Sequence, residues 1–394
     1  MPIFPKIEKI TRDATISHFF LMFGYKLFSL YFPLFLVSRN FSLPQVGYTY
    51  LLIYLPIAIF APFVGFLSHK INPAILASLG IFGYSLYALG MIFIRNPAMF
   101  YFWQVLLGIS AALFFVSSRA ILMASPLESY DRAFGWFYTA PFYADAFAPV
   151  VGALIIWKFN FVGVFIFSLV LQFFTAIFFT RRLGKSSIRP LGRHFNFQRF
   201  SQSYQKIFQS FSKRNVLFPI LISFSVLLLA GLYSAFFILF LKNSLSWSKN
   251  LILFYTSLSS FLFLPLSIFL IRHLEKIKSE KNIFQGGMIA GFFSILFGAF
   301  FPFLNFLTVL LFDTGRSAAS LVCNSGRSGL VSHELKETPE EAGAVDTIFS
   351  PLGVALGALI SGLIIGFLGY QLLFILGGVF IILVSLICKR VAKI

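Results

Sequence analysis

Six charged side chains interrupt the long apolar runs of this 394-residue sequence: Lys26, Arg119, Asp145, Asp313, Arg316 and Arg327. A charge inside a membrane-length apolar run is costly unless it is paired or hydrated, so such residues mark pathways for ions or solutes. The four basic groups outnumber the two acidic ones, which favours a solute with a negatively charged group. We expect Lys26 and Arg316 to bind this solute, and the carboxyl groups of Asp145 and Asp313 to take up and release protons.

Arg119 and Arg327 have a second interpretation, because they lie toward the ends of their apolar runs. There an arginine can bind helix-end carbonyl groups or acids in an adjoining loop, such as Glu128 or Glu334, or extend to lipid headgroups. In each case it would act on a gate and not on the solute. We therefore expect Arg119, Arg327 and Glu128 to be gating residues.

The apolar runs that carry these charges are long enough to cross a bilayer. Hydrophobic residues make up 58% of the sequence and charged residues 11%, and the mean hydropathy is +0.88. A span needs about 20 residues, and a lone span must be helical to satisfy its backbone hydrogen bonds in lipid. The predicted spans are 15–37, 44–67, 74–94, 98–123, 133–157, 160–180, 216–241, 248–271, 283–301, 304–330, 343–366 and 369–388.

The spans form two sets of six, separated by a basic stretch. This predicts an all-α membrane protein of twelve transmembrane helices in two pseudo-symmetric halves, residues 1–180 and 215–394, joined by a cytoplasmic linker, residues 181–214. Aromatic residues recur at helical spacing in the linker, which predicts an amphipathic helix on the inner leaflet or a simple covering connection. They are Phe197, Phe200, Tyr204, Phe208 and Phe211.

A repeat supports the division into halves. Arg119 and Gly135 recur 208 residues later as Arg327 and Gly343. The same offset relates further pairs: Gly83 and Gly291, Gly90 and Gly298, and Thr139 and Thr347. Two parallel repeats are typical of one large class of membrane transporter.

The distribution of Lys and Arg predicts the orientation. Most of the 31 basic residues lie in the N-terminal tail, the even-numbered loops, the linker and the C-terminal tail. We expect a multi-pass protein of the cytoplasmic membrane. By the positive-inside rule, both of its termini are expected in the cytoplasm. The net charge of +18 is thus a topology signal, and we expect lipids as partners and no nucleic acid.

Three short motifs resemble those of the major facilitator superfamily. Gly65 and Lys70 fit the loop that follows the family's second span, where His69 stands at the position of an acid. The stretch 119–135 resembles the family's connection between spans four and five. Residues 148–153, which contain Pro149 and Gly152, resemble a motif of its proton-driven exporters.

The resemblance implies two halves that rock around a central cavity lined by spans one, four, seven and ten. It places Lys26 and Asp145 on spans that pack together, so an ion pair is an alternative to their functional roles. Asp313 and Arg316, three residues apart, can likewise neutralise each other on one helix. Further substrate-binding residues are expected in the cavity at Tyr54, Gln104, Asp313 and Asn324, and Lys70 is expected at the gate.

These features predict a secondary transporter for a small organic solute, coupled to protons or another ion, and not an enzyme. No nucleotide-binding loop is expected, because Gly184-Lys185-Ser186 lacks the rest of a phosphate loop. No cofactor or metal site is expected either, because the two cysteines have no partners for a metal and His333-Glu334 lacks the second histidine of a zinc helix. We expect a monomer. The alternatives are a proton-driven exporter of hydrophobic or cationic compounds and, on the same scaffold, a lipid flippase or a sensor without transport.

Overall fold

The structure, a computed structural model, describes residues 5–29, 35, 43–184 and 197–392, and these are almost entirely α-helical. The all-α prediction is therefore confirmed. The helices are α1 Lys9–Ser29, α2 Leu43–Leu67, α3 Pro73–Ile92, α4 Pro97–Ala124, α5 Tyr130–Leu183, α6 Phe197–Phe211, α7 Arg214–Asn243, α8 Lys249–Leu274, α9 Ser279–Ala299, α10 Phe306–Glu334 and α11 Pro339–Ala392.

Two of the helices, α5 and α11, are each 54 residues long and contain a break. An unbroken helix of that length would extend about 80 Å, more than twice the thickness of a bilayer core. The backbone leaves helical geometry at Asn160, with φ 53°, and at Gly369, with φ 71°. Both breaks lie at junctions that the sequence predicts between consecutive spans. We call the segments before and after the breaks α5a and α5b, and α11a and α11b.

Length and hydropathy make eight of the described helices suitable for crossing a membrane. Large apolar side chains such as Trp157, 85% exposed, and Phe367, 87% exposed, lie on the outside of the protein. Exposed apolar surface on this scale is unfavourable in water and favourable against lipid. The protein is therefore a multi-pass membrane protein, and the count of twelve spans stays a prediction.

The helices pack mainly in two groups, α1 to α5 and α7 to α11. The groups meet where α2 and α4 contact α11, and where α5 contacts α8 and α10. We call these contacts the seam. That the groups superpose as two repeats stays a prediction.

The helix α6 lies in the linker and contacts both groups. The Tyr204 hydroxyl donates to the Pro62 carbonyl oxygen at 3.2 Å, and the Phe211 ring stacks on Phe349 at 5.9 Å. Phe208 is 77% exposed. Of the described aromatic side chains of α6, Tyr204 and Phe211 thus contact the rest of the protein, and Phe208 is exposed.

Candidate functional site

Lys26 on α1 and Asp145 on α5a form an ion pair. The Lys26 Nζ lies 2.9 Å from Asp145 Oδ1 and 3.0 Å from Oδ2. The side chains are 26% and 23% exposed, so the pair is partly accessible from outside the packed helices. Gly152 makes this approach of the two helices possible, because a Cβ atom there would lie 1.9 Å from the Leu27 carbonyl oxygen.

Asp313 and Arg316 form a second ion pair, on one face of α10, which the sequence indicated as an alternative to their functional roles. The Arg316 Nη2 donates to Asp313 Oδ1 at 2.7 Å, and the Tyr255 hydroxyl donates to the other carboxylate oxygen at 2.7 Å. The guanidinium also lies over the Tyr233 ring, 3.7 Å from its centroid. This cation–π contact and the ion pair orient the guanidinium, and its exposed fraction of 13% leaves an edge accessible.

Arg119 and Arg327, the two repeated arginines, converge on a single acid, Asp346 of α11a. The Arg327 Nε lies 2.8 Å from Asp346 Oδ1, and the Arg119 Nε lies 3.4 Å from Oδ2. Asp346 is fully buried, and Arg327 is 1% exposed. Arg119 also donates to the Thr347 hydroxyl at 2.7 Å. A buried carboxylate shared by two guanidinium groups is well compensated electrostatically.

This cluster joins the two groups of helices. The Tyr138 hydroxyl of α5a donates to the Ser328 hydroxyl of α10 at 2.7 Å and lies 3.2 Å from Asp346 Oδ2. The Ser328 hydroxyl donates to the same carboxylate oxygen at 2.7 Å. The cluster of Arg119, Tyr138, Arg327, Ser328 and Asp346, which we call the seam cluster, therefore ties α4 and α5 to α10 and α11.

A second set of contacts crosses the seam near the start of α5. The Arg132 Nη1 donates to Glu275, beyond the end of α8, at 2.7 Å. It also binds Glu8 and Glu128, and Glu128 pairs in turn with Lys6. Hydrogen bonds from Lys6 and Arg132 lower the pKa of Glu128. Arg132 thereby holds the N-terminal segment and both sides of the seam together.

Asp131, next to Arg132, binds two uncharged hydrogen-bond donors on the other side of the seam. Its carboxylate accepts a hydrogen bond from the Ser279 hydroxyl at 2.7 Å and one from the Asn282 amide at 2.8 Å. Both donors belong to the first turn of α9, and Asp131 is 4% exposed. The carboxylate is thus also near the positive end of a helix dipole.

On the other side of the seam, the loop between α2 and α3 contacts the start of α11. The His69 Nε2 lies 2.8 Å from Glu341 Oε1. Gly65 permits this approach, because a Cβ atom there would lie 2.8 Å from the Ala344 Cβ. The N-terminal segment and the loops at 68–72, 125–129 and 275–278 thus share one face, which the contacts hold shut. We call it the closed face.

Several sequence predictions need correction. Glu128 and Glu334 are not the acids bound by Arg119 and Arg327, because Glu128 pairs with Lys6 and Arg132 while Glu334 pairs with Lys213. The sequence interpretation overlooked Asp346, although an acid inside a predicted span, 343–366, is a signal of the same kind as the six charges considered.

The remaining candidates lie in different environments. Gln104, predicted to line the cavity, is instead fully buried between α3 and α4, where it donates to the Tyr87 hydroxyl at 3.1 Å. This position suits packing and not solute binding. Asn324 accepts from Arg327 at 3.0 Å and so adjoins the seam cluster. Tyr54 is half-buried on α2, and Lys70 is exposed on the closed face.

The fold and the family can now be stated together. The sequence profile of the Major Facilitator Superfamily matches residues 14–345. The chain belongs to this family of membrane transporters, and its class is that of the secondary transporters. No curated protein sequence matches the chain closely enough to be called a relative.

Solved structures show the same fold at low sequence identity. The chain resembles the human organic anion transporter MFSD10 with a TM-score of 0.74 and 13% identity, over 96% of this chain and 99% of that one. It resembles the proton:xylose symporter XylE with a TM-score of 0.72 and 13% identity, over 98% and 95% of the two chains. A bacterial homologue of the iron transporter ferroportin, in its outward-facing state, also matches with a TM-score of 0.72 and 13% identity, over 98% of this chain and 100% of that one.

Proposed function

We propose that the protein is a proton-coupled secondary active transporter for a small organic solute that bears a negatively charged group. The observation that carries this proposal is the partly exposed ion pair of Lys26 with Asp145. A paired charge in a spanning helix can be structural, but a purely structural pair needs no exposure, and both members of this pair are partly exposed. The exposure of both side chains makes the pair accessible to a solute.

The pair supplies a simple coupling scheme. An arriving anion competes with Asp145 for the Lys26 ammonium group. Once it loses its cation, the Asp145 carboxyl favours the protonated form, because a carboxylate without a partner is poorly solvated there. Uptake of the anion and uptake of a proton are thereby linked through one shared lysine.

Arg316 provides the second cation, from the other group of helices. Its contacts with Asp313 and Tyr233 fix its position and leave part of the guanidinium accessible. A planar guanidinium suits carboxylate and phosphate groups, which it can bind through two hydrogen bonds. We propose that the solute bridges Lys26 and Arg316, so that its binding acts on both halves. Asp313, bound by Arg316 and Tyr255, is the second candidate for proton coupling.

The closed face indicates which step of the transport cycle the structure represents. The seam cluster, Arg132 and Asp131 hold that face shut, and the sequence predicts it to be cytoplasmic. The described state then corresponds to an outward-facing or occluded step of alternating access.

The alternative is a proton-driven exporter of hydrophobic or cationic compounds. The aromatic surroundings of Arg316 favour it, since Tyr233 and Tyr255 could also stack on an aromatic or cationic solute once Arg316 swings away. The two proposals differ in the charge of the solute, so a ligand screen separates them.

Thermal unfolding of the purified protein with a panel of organic anions, cations and neutral compounds tests the proposal. A ligand at 100 times its dissociation constant stabilises the folded state by about 2.7 kcal/mol. We expect at least one anion to raise the melting temperature of the wild type and to have little effect on Lys26→Ala. The control is Lys158→Ala, at an exposed lysine of the same group of helices. Stabilisation by cations alone, or anion binding that survives in Lys26→Ala, would contradict it.

A further inference from the structure

A cluster of three ionisable side chains crosses the seam at the closed face. His69 comes from the loop between α2 and α3, and Glu340 and Glu341 come from the first turn of α11. One potential ligand atom from each residue lies within 4.8 Å of the other two. The sequence gives no sign of this cluster, since His69 and Glu341 are 272 residues apart.

The described ion pairs of the cluster give its two acids little positive charge. Glu340 is 4% exposed and Glu341 is 3% exposed, although both are carboxylic acids. Within the described part of the chain, the one ion pair that either acid forms is that of Glu341 with His69. An imidazole offers at most one positive charge to two buried carboxyl groups. Such a deficit of charge is costly unless a further cation is present.

A buried carboxylate oxygen also lacks a partner. While Glu341 Oε1 lies 2.8 Å from His69, its second oxygen, Oε2, is buried without a hydrogen-bond partner among the described residues. Buried polar atoms are nearly always satisfied, so an exception calls for an unseen water or ion. This observation is independent of the clustering and points to a bound ligand.

We propose that His69, Glu340 and Glu341 bind a divalent transition-metal ion, best represented by Zn²⁺. Zinc accepts imidazole nitrogen and carboxylate oxygen at about 2.0–2.2 Å, in a tetrahedral arrangement. Three protein ligands leave one coordination position for water. Mg²⁺ and Ca²⁺ prefer all-oxygen sites, so the imidazole selects against them.

The position of the site gives the ion a role that goes beyond the proposed transport function. His69 belongs to one half of the chain and the two glutamates to the other. An ion bound by all three holds the closed face shut, and opening of that face requires it to leave or to lose ligands. The structure thus assigns the cluster as a site at which a divalent cation stabilises one state of the transporter and inhibits its cycle.

Zn²⁺ binding to the purified full-length protein tests the proposal without any transport assay. Titration against a fluorescent zinc chelator should show a site in the wild type, and Zn²⁺ should raise the melting temperature where Mg²⁺ does not. In His69→Gln, Glu340→Gln and Glu341→Gln, the affinity should fall by roughly tenfold or more, since even changes beyond the direct ligands cost that much. The matched control is His273→Gln, because His273 lies at the end of α8 and its Nε2 contacts Gln285 at 3.3 Å.

Melting without metal shows whether each variant folds, and the three single variants give independent readings. X-ray absorption at the zinc edge of the wild type should show imidazole and oxygen ligands. Equal affinity in the wild type and all three variants, sulfur ligands at the zinc, or binding of Mg²⁺ as tight as that of Zn²⁺ would overturn the proposal. Failure of the anion screen would leave these zinc measurements unaffected, so the two proposals can fail separately.

Discussion

Asp346 shows how a single buried acid can serve two halves of a protein. Arg119 and Arg327, which are 208 residues apart in the sequence repeat, both contact this one carboxylate. Neither arginine is accessible enough to be satisfied by water. Among the ion pairs that the structure describes, Asp346 is therefore the one acid that neutralises either arginine.

At this scale the sequence indicated two ion pairs as alternatives to functional roles, and it missed the third group. Asp313 and Arg316 are neighbours on one helix, so local spacing alone identifies their pair. Lys26 and Asp145 meet because of helix packing that the family resemblance implied. Asp346 could not be assigned to Arg119, because their contact depends on how the two halves dock and no local rule describes that.

Asp346→Asn is expected to destabilise the protein by about 3–5 kcal/mol, because it leaves two buried guanidinium groups without their shared counter-charge. The size and shape of the side chain are kept, so the loss reports the charge. Thermal unfolding measures it. Glu128→Gln is the control, since Glu128 is largely exposed on the closed face and should change the melting temperature little. Equal melting temperatures of Asp346→Asn, Glu128→Gln and the wild type would show that the charge of Asp346 does not stabilise the protein.

At the scale of elements, two breaks and one close approach determine how the helices are arranged. The breaks at Asn160 and Gly369 lie where the sequence predicted junctions between spans, so apolar run length located them well. The approach of α1 to α5a at Gly152 was visible only as a motif resemblance, because a glycine in a span is compatible with many neighbours.

Gly152→Ala is expected to lower stability by about 1–3 kcal/mol or more, since the new Cβ atom would lie 1.9 Å from the Leu27 carbonyl oxygen and the helices must separate. The Lys26–Asp145 pair would be weakened as well. Gly366→Ala is the matched control, because no atom lies within 4 Å of the place that its Cβ atom would occupy. There the higher helix propensity of Ala should leave stability unchanged or raised by up to about 1 kcal/mol. Opposite signs in thermal unfolding confirm the packing, and equal effects contradict it.

For the whole molecule, the ion pairs of His69 and Arg132 across the seam lie at the closed face, and the contacts of α5 with α8 continue along the helices to Tyr143 and Ser267, whose hydroxyls are 3.0 Å apart. The family and the all-α fold agree with the sequence prediction, because hydropathy encodes the spans and short motifs indicate the family. The conformational state does not follow from sequence, since a transporter uses the same residues in all its states and only their contacts differ.

Replacing Arg119 or Arg327 with Ala should shift the protein toward a state that is open at the closed face, because each change removes a contact of the seam cluster. Ala344→Cys is a suitable reporter, as Ala344 is buried against Gly65 in the seam. The buried Cys323 and Cys388 would be replaced by Ser to give a silent background. The rate of thiol labelling should rise severalfold in both arginine variants. A rate equal to that of the parent, with an exposed Ser212→Cys reporter reacting normally, would argue against gating.

Anion-driven proton movement in proteoliposomes tests the central claim most directly. A pH-sensitive dye inside the vesicles reports the lumen while an anion that stabilises the purified protein is added outside. The wild type should change the lumenal pH in step with the anion. Asp145→Asn should still bind the anion and fail to move protons. Asp313→Asn shows whether the second acid is also needed for proton movement. Proton movement that persists unchanged in Asp145→Asn, or anion uptake without any proton movement in the wild type, would contradict coupling through Lys26 and Asp145, and persistence in both variants would exclude both acids.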